Sequence, residues 1–193
     1  MTARTTMATL ITRLRGLAQA GTNDYTVSSI TYWTDNQLQD VLDAHRQDIY
    51  RAPMQPVQIY NGGTVEYRDY FSGYGNLETT TDGMSIFYVE DASGSAVGTA
   101  LYTPDYNRGV VTFAADTGGS AYYLYGRSYD VNAAAAEVWR TKAGQYAMAV
   151  NFSTDNHRID RGEIIKNCFA MAAHYDRLSG SNSVIITRND NAY

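Results

Sequence analysis

The chain has 193 residues, the upper end of one ordinary domain, so a single body with an insertion is the first expectation. Hydrophobic residues make up 44% and charged residues 18%, which excludes a disordered polyelectrolyte, and the formal charge of −5 argues against a basic surface that wraps nucleic acid through its phosphates. One cysteine, Cys168, excludes an internal disulfide and a cysteine-cluster metal site, while 17 Tyr against 5 Phe require many aromatic rings to keep a hydroxyl near water or a partner.

In residues 5–19, Met7, Leu10, Ile11, Leu14, Leu17 and Ala18 fall three or four apart, the apolar stripe of a helix that Gly21 ends. Thr34 precedes Gln37 by three residues, a capping-box spacing, and Leu38, Val41, Leu42, His45 and Ile49 predict a second helix that Pro53 stops. The pattern then changes to alternation. Val57 and Ile59, then Val65 and Tyr67, flank Asn61-Gly62-Gly63 as a hairpin, and further strands are expected over residues 84–90, 97–102, 110–113 and 122–125.

At Asp130 the helical period returns. Asp130 or Asn132 is the expected N-cap, and Ala135, Val138, Trp139, Ala143, Tyr146, Ala147 and Val150 share one face of a third helix ending near Asn151. After a polar loop, Asp160 and Glu163 open a fourth helix carrying Ile164, Cys168, Met171, Ala172, Tyr175 and Leu178. The remaining tail is polar except for Ser183-Val184-Ile185-Ile186-Thr187-Arg188, a short β-prone run. The expected fold is therefore α+β: a four-helix bundle from two N-terminal helices (1–52) and two C-terminal helices (130–178), with an inserted antiparallel β module (53–129) and a tail (179–193).

Charge divides unevenly over this frame. Residues 1–20 hold three arginines and no acid, whereas residues 52–136 hold three arginines against nine acids, a net −6. Eleven of the 17 tyrosines also fall between Ala52 and Asp130.

No catalytic, metal or cofactor constellation is legible. His45, His157 and His174 are dispersed, and His157 stands beside Asp155 and Asp160 without the spacing of a zinc or calcium motif. Cys168 lies on the apolar face of its helix with no base nearby in sequence, and the glycine pairs lack a phosphate-loop pattern. No run approaches the ~18 apolar residues of a membrane span, and the N-terminus is too polar for a secretory signal, so the expected setting is a cytoplasm or a particle assembled there. The tyrosines of the β module have two readings: half-buried strand positions, or a glycan-binding or host-recognition surface in which Tyr70, Tyr74, Tyr102 and Tyr106 stack on sugars.

The run Tyr129-Asp130-Val131-Asn132-Ala133-Ala134-Ala135-Ala136-Glu137-Val138-Trp139, with Lys142-Ala143 and then Val150-Asn151-Phe152-Ser153-Thr154-Asp155, resembles the head-to-tail connector, or adaptor, proteins of tailed bacteriophages. The likeness covers residues 129–178, with weaker support at residues 105–113; the loop Asn156-His157-Arg158-Ile159 and the long, Tyr-rich β module depart from the family pattern. What the resemblance implies is a virion protein without catalysis or cofactor: a homo-oligomeric, dodecameric ring in the neck that joins the portal to the next neck or tail protein and lets DNA pass without sequence-specific binding. Such a ring needs two different surfaces on each subunit. Trp139 and Arg140 are the expected inter-subunit anchors, with core packing the competing role for Trp139. Val184, Ile185, Ile186, Thr187 and Arg188 are the expected portal-docking segment, by strand addition, with a frayed terminus as the alternative.

Overall fold

The computed structural model describes residues 2–22, 25–27, 30–80, 86–148, 153–154, 157–158 and 161–180. In chain order, a 3-10 turn (Thr5–Met7) leads into α1 (Ala8–Ala18), β1 (Tyr25–Val27), β2 (Ile30–Tyr32) and α2 (Asp35–Ala44). There follow β3 (Arg46–Pro53), β4 (Gln55–Pro56), β5 (Ile59–Asn61), β6 (Thr64–Glu66), β7 (Asp69–Phe71) and β8 (Tyr88–Asp91). After a 3-10 turn (Thr99–Leu101) come β9 (Tyr102–Asp105), β10 (Val110–Phe113), β11 (Tyr122–Tyr129), α3 (Val131–Met148), β12 (Ser153–Thr154), β13 (His157–Arg158) and α4 (Arg161–Leu178).

The described chain divides into two compact units, one from Met1–Arg46 with Asp130–Gly180 and the other over Gln47–Tyr129. The helical unit is not the expected four-helix bundle. The class is α+β, and the four helices are unequal partners: α1 and α2 pack on α3 and on each other, and α4 lies along α3. Length is one reason. At 1.5 Å per residue α1 and α2 are about 16 and 15 Å long, against about 27 Å for α3 and α4, so the short pair cannot complete a bundle along the long pair. The second reason is that the second helix stops at Ala44. The chain becomes strand β3, which pairs with β11, and Ile49 enters a sheet core instead of the helical stripe.

Local signals explain the helix ends. Thr34 Oγ1 accepts from Gln37 N–H at 3.3 Å while Gln37 Oε1 accepts from Thr34 N–H at 2.9 Å, the reciprocal capping box expected from the spacing. Asp130 caps α3 by accepting from Ala133 N–H at 2.9 Å, and its own N–H donates to the His45 carbonyl at 3.1 Å. The helical unit is thus clamped where the chain leaves it and returns. Ala134, Ala135 and Ala136 are all fully buried, and three consecutive helical positions span about 200°, so α3 is enclosed on more than one side. Small side chains there let neighbouring helices come close.

The β unit has a four-stranded sheet in the order β4-β7-β10-β9, a three-stranded sheet β3-β11-β8 and the hairpin β5–β6. Its core is Ile49, Met54, Tyr70, Leu77, Phe87, Val89, Tyr102, Val111, Phe113 and Leu124. The hairpin forms as the Asn61-Gly62-Gly63 signal predicts, with Tyr60 opposite Val65 and both glycines at positive φ. Other strands differ from expectation. Residues 97–102 hold the 3-10 turn before β9 begins at Tyr102, and β11 continues to Tyr129 because Gly126 lets Phe87 and Ile49 close over it at 3.7 and 3.9 Å from a would-be Cβ. The described part of the strand expected over 84–90 starts at Tyr88; residues 81–85 lie outside the described residues.

Gly109 is the tightest of the turns. Its φ is +65°, and a Cβ there would sit 1.6 Å from the Tyr74 carbonyl oxygen. Gly109→Ala should destabilise the β unit by about 3 kcal/mol or more, read as a lower urea midpoint, whereas Gly94→Ala, also at positive φ but in open space, should cost about 1 kcal/mol. Equal losses at the two positions would contradict this account.

Candidate functional site

The run that carries the family resemblance is built into the two units as structure. Tyr129, the last residue of β11, is fully buried, and its hydroxyl donates to Glu78 Oε2 at 2.6 Å. Glu78 is itself fully buried, with the Arg127 guanidinium at 3.5 Å, so the carboxylate has both a hydrogen-bond donor and a counter-charge. On α3, Trp139 and Lys142 both turn to the end of α1. The Trp139 indole N–H donates to the Leu17 carbonyl at 3.2 Å, and the Lys142 ammonium donates to the Ala18 and Gln19 carbonyls, each at 2.9 Å.

Those carbonyls are among the ones a helix C-terminus leaves without intrahelical partners, and a cation there also meets the negative end of the helix dipole. Gln19 at φ +47° ends α1, two residues before the glycine expected to do so. Lys142 is 6% exposed and its ammonium lies 5.0 Å from the Trp139 ring centre, so the pair forms one buried cap. An open cleft of about 480 Å³ adjoins it, lined by Gln19, Tyr146, Asn167 and Met171 among others. Cys168 is buried at this cleft; burial pushes its thiol pKa up, and the nearby Lys142 charge offsets part of that.

The expected inter-subunit anchors fall in different settings. Trp139 is 8% exposed and packs with Ala143, Cys168 and Ala172, the core role that competed with the anchor role. Arg140 is exposed and ion-paired to Asp176 of α4. The expected portal-docking residues Val184, Ile185, Ile186, Thr187 and Arg188 lie outside the described residues, as do Asp155 and Asp160. His45 Nε2 is 2.7 Å from Glu137 Oε2, tying the end of α2 to α3, and His174 sets its ring edge against Tyr175. Among the described residues no three His, Cys, Asp or Glu side chains gather where a metal ion could be held.

The four tyrosines considered for stacking on sugars are engaged in the β unit. Tyr70 is fully buried, with its hydroxyl 2.6 Å from Thr117 Oγ1 and 2.9 Å from the Ser120 carbonyl. Tyr102 is 6% exposed, and Tyr74 and Tyr106 pack against the core, the latter edge-on to Phe87 at 5.0 Å. The acidity of the unit is equally local. Asp91 accepts from Ser93 and Ser95 N–H, Asp105 from Asn107 and Arg108 N–H, and Asp116 from Tyr67 and Gly118 N–H, each closing a turn. The Ser93 hydroxyl first of all, then backbone N–H groups, lower the Asp91 pKa; backbone N–H groups from Tyr67 and Gly118 lower that of Asp116.

Sequence reasoning did not single out Lys142 as a cap, although a lysine three residues after Trp139, on the same helical face, is the signal that could have found it. Nor could it identify Phe169, 53% exposed on α4, or Tyr50 and Tyr60, 77% and 78% exposed in the β unit. No family model matches the chain, and no curated protein or solved structure is significantly similar to it.

Lys142→Met keeps most of the stem but leaves the Ala18 and Gln19 carbonyls without their donor, and should lower the unfolding free energy by about 2–4 kcal/mol in chemical denaturation. Lys142→Arg should retain part of the difference, and a Met variant as stable as wild type would remove the cap from the account. In the β unit, burial raises the pKa of Tyr70, Tyr102 and Tyr106. Folding then favours the neutral phenols: their contribution is intact below the unfolded value of about 10 and is lost as pH rises through the higher folded values. Absorbance at 295 nm should show a late tyrosinate phase that moves to about pH 10 on unfolding in urea.

Proposed function

We propose that the chain is a non-catalytic assembly subunit, and in particular the adaptor of a tailed-bacteriophage neck. In this reading it forms a homo-oligomeric, dodecameric ring between the portal and the next neck or tail protein, and DNA passes through without sequence-specific contacts. The observation that carries the proposal is what the resemblance run does. Asp130 caps α3, Ala134–Ala136 are buried, and Trp139 and Lys142 terminate α1, so the residues that resemble the connector family make architecture.

Charge supports the same reading. A channel that lets a phosphate polymer slide is poorly served by rows of fixed cations, because each added phosphate contact favours holding over passage. The chain carries −5 overall and −6 over residues 52–136. The docking segment in this proposal is Val184–Arg188, which would add as a strand to an open sheet edge of the portal.

Electron microscopy of the particle is the decisive experiment, with the expected result a ring of this chain directly beneath the portal. Removing residues 179–193 should leave a folded, soluble subunit that no longer co-purifies with portal. A truncated chain that docks unchanged would eliminate the tail's role, and a particle whose neck lacks the chain would eliminate the function.

A further inference from the structure

We infer that the outward face of α4 docks on the outward face of α2 in a second copy of this chain, making a head-to-tail contact. The inference rests on the ring reading above and names the two surfaces that such a ring requires.

Exposure and charge support the contact. α4 is supported along α3 by Cys168, Ala172, Met171 and Tyr175, which leaves its opposite side in solvent. There Phe169 is 53% exposed beside exposed Ala170 and Ala173, an aromatic ring flanked by small residues that let another helix approach. Arg177 closes this stripe two turns further on. Its Nε donates to the Ala173 carbonyl, and among the described residues its guanidinium makes no ion pair.

α2 is the complement. It has three aspartates and no base. Asp35 is paired with Arg15 and Asp43 with Arg4, but Asp40, on the exposed stripe with Ala44, has no ion pair among the described residues. One copy therefore offers an unpaired guanidinium next to an exposed aromatic ring, and the other an unpaired carboxylate next to an exposed alanine. The two faces differ, so each copy can give one and receive one, which is the requirement for a closed ring or an open filament and not for a two-fold dimer.

A charge swap tests the contact on the full chain, by mass photometry and sedimentation with and without the portal protein encoded with it. Asp40→Arg and Arg177→Glu should each weaken self-association about tenfold by setting like charges together. The double variant should return to within about threefold of wild type, because the ion pair reforms with its signs exchanged. Phe169→Ala should weaken association in both backgrounds while circular dichroism stays unchanged. Single variants that assemble normally, a double variant that stays apart, or a wild type that is monomeric both alone and with portal would each overturn the inference. Rings that ignore the swap would refute this interface while keeping the connector reading, and oligomers that obey the swap but never join portal would do the reverse.

Discussion

The free end of α1 is the point on which the helical unit depends. An eleven-residue helix ends in carbonyls that no later turn can satisfy, and in a buried setting each one left unpaired costs about 1–3 kcal/mol. Trp139 and Lys142 supply the missing donors from a helix more than 120 positions later in the chain. From within α1, Arg15 donates to the Ala20 and Gly21 carbonyls just past the same helix end and, separately, to the Trp33 carbonyl ahead of α2. The N-terminal and C-terminal stretches of the chain are thus held together by polar bonds of fixed geometry as well as by apolar burial. A buried lysine is tolerable here because its charge sits at the negative end of a helix and its protons are bonded.

The β unit solves a different problem. In its four-stranded sheet the strands are short, and strands of two to four residues have few ladder bonds with which to hold the layers. Large rings fill the space. Phe113 lies against Tyr122 at 4.4 Å and meets Tyr70 edge-on at 5.2 Å, while Tyr88 and Tyr125 stack outside at 4.6 Å. Tyrosine is preferred over phenylalanine where a hydroxyl can close a loop, as Tyr70 does at Thr117 and Ser120. The same economy governs the acids: three aspartates that look like a charged surface in the sequence act as caps of tight turns.

Much of this was legible in residue patterns, and the failures have identifiable causes. The apolar stripe of α1, the Thr34 and Asp130 caps and the Gly62-Gly63 turn are local, since each depends on residues within about four positions along the chain. Ile49 lies in a strand although the spacing Leu38, Leu42, His45, Ile49 continues a helical period, because pairing with β11 recruits its segment into a sheet. The tyrosines of the β module kept two readings for a related reason: composition places rings in strands but cannot say which side of a strand faces another layer, and packing decides that Tyr70 and Tyr102 are buried.

By itself the sequence determined the class of most segments: helical ends, a strand-rich middle, the helix start at Asp130 and the chemistry of the turns. These are set by short-range sterics and by hydrogen bonds between near neighbours, which one chain segment can specify alone. Only the tertiary structure decided that α3 serves as the helix on which the others pack, that Lys142 is a buried cap, and that Phe169, Asp40 and Arg177 stay outside. Those outcomes depend on which distant segments meet, and burial is a property of the pair that meets, not of either segment.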